Sequence, residues 1–145
     1  TSGVLSLTQE LTSFVEIERA VEAAVRAASC SVVEFSAGAE VGVGGTGKGR
    51  YQIFVEFDQP PADPRRFASA FDESLCAQNR VYREHRTADV AILPPALFAL
   101  PPGGARRFME DIGRRSPQQK FPRVVENSKR DILVKYATLI PWERA

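Results

Sequence analysis

Three stretches of the chain repeat apolar side chains at intervals that set their local structure. Phe14, Ile17, Val21, Ala24 or Val25, and Ala28 fall on one stripe of a helix running from about 13 to 28. Ser13 and Glu16 open it as a capping box, the hydroxyl accepting from the third helical amide while the carboxylate returns to the cap amide. Over Arg50–Phe57, Tyr51, Ile53, Val55 and Phe57 alternate with Arg50, Gln52, Phe54 and Glu56, the period of a strand. Phe67, Phe71 and Leu75 line a second helix with room to run on through Val81 and Tyr82. It starts at Asp63-Pro64, where Asp caps and Pro's missing amide costs nothing at the first position.

Shorter patterns fill the gaps. Gly3–Leu7 alternates as an edge or first strand, Ser31–Ala37 has the β-branched and aromatic content of a strand, and Val90–Leu93 is a short apolar one. Pro60 and Pro61 end the Arg50–Phe57 strand. After Pro101-Pro102-Gly103-Gly104 comes a third helix, about Ala105–Gly113, then a loop over Ser116–Arg123. Ile132–Leu139 fits a helix or a strand equally. The order is strand, helix, strand, strand, helix, strand, which predicts a ferredoxin-like α+β sandwich: an antiparallel sheet with its helices on one face, plus a carboxy-terminal helical extension. No internal repeat interrupts it, and residues 1–145 read as a single domain.

Composition narrows the function classes. A chain of 145 residues buries one core. At 43% hydrophobic and 26% charged it is expected to be an ordinary folded, soluble protein. A net charge of +1 removes the electrostatic reason for a nucleic-acid or membrane-surface partner. Prolines interrupt the longest apolar stretch, around Val90–Leu100, so no transmembrane helix is expected. Cys30 and Cys76 lie far apart with no His nearby and make no metal pattern. With no apolar leader at the start of the sequence, they point to reduced thiols in the cytoplasm. The charge is unevenly placed: residues 1–100 carry 9 basic and 13 acidic side chains, residues 101–145 carry 10 and 5. The basic end reads either as a solvated face or as a site for an anion such as phosphate.

Each chemically suggestive residue has a plain reading beside the functional one. Gly42–Gly49 is one residue short of a phosphate-binding loop, with Gly49 where a magnesium-binding Ser or Thr belongs. Such a loop must lead into a helix, and this one leads into a strand, so it reads as a hairpin connection. His85, between Glu84 and Arg86, has no partner for a triad and reads as a surface residue. Asp72 and Glu73 are adjacent, so on a helix they diverge, and Asp72 reads as a surface ion-pair partner. Cys76 reads as a small core residue, and Tyr136 and Trp142 as packing. In Gln118-Gln119-Lys120-Phe121-Pro122-Arg123, Pro122 stiffens the backbone just after Lys120, so an ammonium can be presented at a defined point. Phosphoryl or adenylyl transfer needs such a charge, although a loop lysine commonly serves solubility alone.

Several of these residues resemble one family. Phe71-Asp72, Leu75, Asn79, Tyr82 and Arg86 have the spacing of an aromatic-or-Leu-Asp, Leu, Asn, Tyr, Arg pattern near the end of the auxin-responsive acyl-acid amido synthetases, the Gretchen Hagen 3 family. Val90–Phe98 resembles that family's segment ending Pro-Gly-Thr-Phe. Gln118–Arg123 is similar to its Gln-aromatic-Lys-x-Pro-Arg element, and Leu5–Leu11 to the stretch just after the hinge between its two domains. Two departures stand out: Ala96-Leu97 replace Gly-Thr, and Gln119 replaces an aromatic.

The resemblance implies the small, mobile carboxy-terminal domain of an adenylate-forming ligase. The family joins a carboxylic acid to an amino acid through an acyl-adenylate, using ATP and Mg2+ bound mainly by a large amino-terminal adenylation domain present in cis or in trans. By carry-over, Lys120 would stabilise charge on the ATP phosphates, Gln118 and Gln119 would line the approach, and Arg123 would either meet phosphate or buttress the loop. The large domain's Ser- and Thr-rich phosphate loop is not among these residues, so the chain alone is expected to be inactive. The competing expectation is a non-catalytic ferredoxin-like module that regulates or recruits a partner protein.

Overall fold

The computed structural model describes residues 4–5, 12–89, 91–113, 121–125 and 127–140. Val4–Leu5 (β1) pairs antiparallel with Thr12–Ser13 (β2), and the chain enters helix α1, Phe14–Ala28. The capping box forms as the sequence predicts: Glu16 N–H donates to Ser13 Oγ at 3.2 Å and Ser13 N–H to Glu16 Oε1 at 3.1 Å. Strands β3, Ser31–Glu40, and β4, Arg50–Gln59, form a hairpin. Helices α2, Pro64–Gln78, and α3, Arg80–Arg86, then cross to strand β5, Ala96–Leu100. Helices α4, Gly104–Asp111, and α5, Asn127–Val134, lead to strand β6, Thr138–Ile140.

The class is α+β, as expected, but three details of the predicted sandwich change. The sheet is mixed, in the order β3-β4-β5-β6: β4 and β5 run parallel with Ile53 opposite Leu97, while the other two pairings are antiparallel. The α2–α3 crossover imposes this, because a chain that leaves one end of a strand and returns over the face re-enters in the same direction. Of the predicted first strand, the described residues Val4–Leu5 lie outside this sheet and pair with β2. Helices also cover both faces. Ile17, Ala20, Val21 and Ala24 of α1 and Phe67, Ala68, Phe71 and Leu75 of α2 pack with Tyr51, Ile53 and Val55 on one side. Phe54 packs on the other with Phe98, Leu100, Phe108, Met109 and Leu133, so the carboxy-terminal helices are a third layer rather than an extension.

Two boundaries move for physical reasons. The strand expected at 90–93 lies at Ala96–Leu100, where an unbroken apolar run is walled on both sides by β4 and β6. Ile92 instead forms a single bridge to Gly49. The second predicted helix breaks at Asn79, which caps α3 by accepting from Tyr82 N–H at 3.0 Å. The ambiguous Ile132–Leu139 segment is divided between the end of α5 and the start of β6. Among the described residues no helix is long and apolar enough to cross a membrane.

Candidate functional site

The segment following Lys120 is fastened to the free edge of the sheet. Gln118, Gln119 and Lys120 themselves lie outside the described residues. Phe121 is buried, edge-on to Phe108 at 5.7 Å between ring centroids. Next to it the backbone adds to β3: Ala37 N–H donates to the Arg123 carbonyl at 3.0 Å, and Val125 N–H to the Ala37 carbonyl at 2.9 Å. Val124 thus forms a parallel bridge with Ala37, closing part of an edge whose amides would otherwise face water.

The Arg123 side chain is committed to protein partners. Its Nη1 donates to Glu34 Oε1 at 2.9 Å, its Nε lies 3.4 Å from Glu18 Oε2, and its guanidinium carbon stands 4.4 Å from the centre of the Phe35 ring. Glu34 and Phe35 come from β3 and Glu18 from α1. Two carboxylates of the domain thus face this one guanidinium. Neither carboxylate was singled out by the sequence.

The residues of the Asp72–Arg86 pattern converge on one buried cluster. Arg86 donates to Asp72 from Nε at 2.9 Å and from Nη2 at 2.6 Å, and Tyr82 Oη donates to Asp72 Oδ1 at 2.7 Å. Asp72 is 8% exposed, which corrects its reading as a surface residue while keeping its ion pair. Three donors fill its oxygens, so Asp72 holds Tyr82 and Arg86 together. Burial, then the Asp72 charge and hydrogen bond, push the Tyr82 phenol well above its ordinary range. The Tyr82 ring lies 5.1 Å from that of Tyr51, whose Oη is 2.7 Å from Thr12 Oγ1. Asn79 Nδ2 reaches the same hydroxyl and Glu16 Oε1, each at 3.4 Å. The pattern therefore ties β2, α1, α2 and α3 together.

Other candidates take their plain readings. The glycine-rich run turns through a single 3-10 turn, Val43–Gly45, and delivers the chain into β4, with Val43 N–H donating to the Lys48 carbonyl at 2.9 Å. Gly42, Gly45 and Gly47 have positive φ, the conformation for which the turn needs glycine. Burial raises the thiols of Cys30 and Cys76 above their usual range, away from the reactive thiolate. Glu56, buried on β4, accepts from Gly103 N–H at 2.9 Å and Ala105 N–H at 3.2 Å, capping α4 from across the sheet. Nothing in the sequence marked that role.

Fold and site together define a small three-layer α+β domain. A family model for the GH3 family C-terminal domain matches residues 15–129, and the chain belongs to that family. A solved structure of a GH3.15 acyl acid amido synthetase is similar with a TM-score of 0.78 at 22% identity, over 97% of this chain and 27% of that one. A second, of AtGH3.15 acyl acid amido synthetase in complex with 2,4-DB, is similar at 0.74 and 22%, over 96% and 27%. The chain thus spans about a quarter of the length of these structures. At that identity the likeness is one of fold. A search of curated proteins finds no match.

Proposed function

We propose that this chain is the carboxy-terminal domain of an ATP-dependent acyl-acid amido synthetase. It would act in the cytoplasm with an amino-terminal adenylation domain, in cis or in trans, to form an acyl-adenylate and pass the acyl group to an amino acid. The observation that carries the reading is the family match over residues 15–129. The fold likeness to acyl acid amido synthetases supports it.

ATP with Mg2+ supplies the phosphoanhydride whose cleavage activates the carboxylate, and its binding falls mainly to the amino-terminal domain. Lys120 contributes a positive charge toward the phosphates as negative charge grows on their oxygens. Gln118 and Gln119 offer amide donors along the same approach. Arg123 binds Glu18 and Glu34 and keeps the end of this segment on the β3 edge. Pro122 between them fixes one backbone angle.

Lys120→Ala in the full polypeptide is expected to lower acid-dependent ATP–pyrophosphate exchange by about 100-fold. The assay uses a panel of carboxylic acids that includes 2,4-DB. Exchange at the wild-type rate would remove Lys120 from the chemistry and favour a non-catalytic module.

A further inference from the structure

Phe121–Val125 and α5 are held to the sheet by fewer and weaker contacts than the helices on the opposite face. We propose that they form a strap that opens from β3 as a unit while the first core stays closed. The inference concerns the fold and stands apart from the reading of Lys120 given above.

Three observations carry it. First, the strap is shallowly anchored. Leu133 alone among the described side chains of α5 is buried, whereas α1 buries Ile17, Ala20, Val21 and Ala24. The strap's backbone meets β3 at one bridge, with two main-chain hydrogen bonds at Ala37, while β4 pairs with β3 from Ser31 to Glu40. Val124 reaches the first core only at its rim, half-buried. Few buried side chains and a short ladder mark a segment that opens at low free energy.

Second, closing the strap buries two polar atoms that find no partner. Ser36 and Gly38 lie opposite Phe54 and Gln52, on the face of the sheet that carries the second core. Ser36 is fully buried, yet among the described residues its Oγ meets no donor or acceptor, and Arg130 Nε meets no acceptor. Gly38 admits Arg130 to this face, since a Cβ on Gly38 would stand 2.9 Å from Arg130 Cδ. Desolvating an unpartnered polar group is unfavourable, and opening the strap reverses it. At the centre of the first core, by contrast, Tyr51, Tyr82 and Asp72 all have partners. Third, the charged contacts of the strap are weak. Arg123, Glu18 and Glu34 are each about a third exposed or more, where ion pairs contribute little.

Hydrogen–deuterium exchange followed by mass spectrometry on the full polypeptide tests the strap. Peptides within 121–134 are expected to exchange about 100-fold faster than peptides within 14–28 and 50–59. Leu133→Ala removes the one deep anchor of α5 and should speed the strap peptides by about a further 30-fold, with the first-core peptides within about twofold of wild type. Ser36→Ala should slow the strap peptides about fivefold, because the hydroxyl no longer has to be desolvated on closing. It adds no bulk, and so covers the case in which Leu133→Ala fails to fold.

Equal exchange of strap and first-core peptides in the wild type would show that the strap opens only when the whole domain unfolds, and would overturn the proposal. A common acceleration of both sets in Leu133→Ala would do the same. Faster strap exchange in Ser36→Ala would mean that the closed state satisfies the hydroxyl, and would also overturn it.

Discussion

Asp72 accepts from two side chains in a space nearly closed to water, and that sets what each substitution does. Asp72→Asn removes the negative charge that Arg86 faces at close range, and the expected cost is about 3 kcal/mol in urea unfolding. Replacing Asp72 and Arg86 together by Leu and Met recovers most of it, because neither member of the buried pair then remains to be desolvated. Tyr82→Phe removes one hydrogen bond and costs about 1 kcal/mol near neutral pH. Tyr82 also gives stability a pH dependence. Its folded pKa is raised, so the stability it contributes is complete below the unfolded phenol's pKa of about 10 and is lost as pH climbs toward the folded value. Urea midpoints measured at increasing pH above 10 should therefore fall more steeply for wild type than for Tyr82→Phe. The two thiols, raised by burial, should react with Ellman's reagent at pH 8 more slowly than free cysteine.

At the level of elements, α1, α2 and α4 were legible in sequence, whereas the cap at Asn79 that starts α3 and the one that α4 takes from across the sheet were not. Ser13, Asp63 and Asn79 each serve a helix that begins one residue later. Helix α4 begins after Gly103, which has no side chain to offer, and the missing acceptor arrives from Glu56 on β4. Glu56→Ala is expected to cost about 1–2 kcal/mol and to speed hydrogen exchange at the Gly103 and Ala105 amides above all others in the helix. Strand β5 was misplaced because Ala96–Leu100 shows no alternation, a consequence of being buried on both faces. The site divides the same way. Gln118, Gln119, Lys120 and Arg123 stand together in sequence and could be matched to a family pattern. Glu34 lies 89 residues from the Arg123 it holds, and a single charged residue on a strand gives no sign of a distant partner.

Across the whole molecule, the three layers meet at β4, whose residues from Tyr51 to Glu56 are all buried. Its second face changes from apolar to polar toward β3. There Gln52 accepts from Arg130 Nη1 at 2.9 Å and donates to Glu40 at 3.3 Å, with Arg50 on the same Glu40 oxygen at 2.8 Å. Gly38 lets α5 settle onto this corner. A Cβ there would stand 2.9 Å from Arg130 Cδ and 3.2 Å from Val125 Cγ1. Gly38→Ala is therefore expected to destabilise the domain by about 1–3 kcal/mol, with Arg130→Ala in the same chain relieving part of the effect. The sequence showed β4 as a two-faced strand, but Phe54 alone among four polar-side positions did not announce a second core. That core is assembled from residues 96–133, none of which alternates with β4 in sequence.

A strand shared between two cores also has a consequence in time. During synthesis α1, β3, β4 and α2 leave the ribosome before α4 and α5, so most of the first core can close while Phe54 still faces water. At roughly 5–20 residues per second the interval is several seconds. For that period the half-built domain presents the surface that chaperones recognise, and a nascent chain arrested between α2 and β5 should be their preferred client.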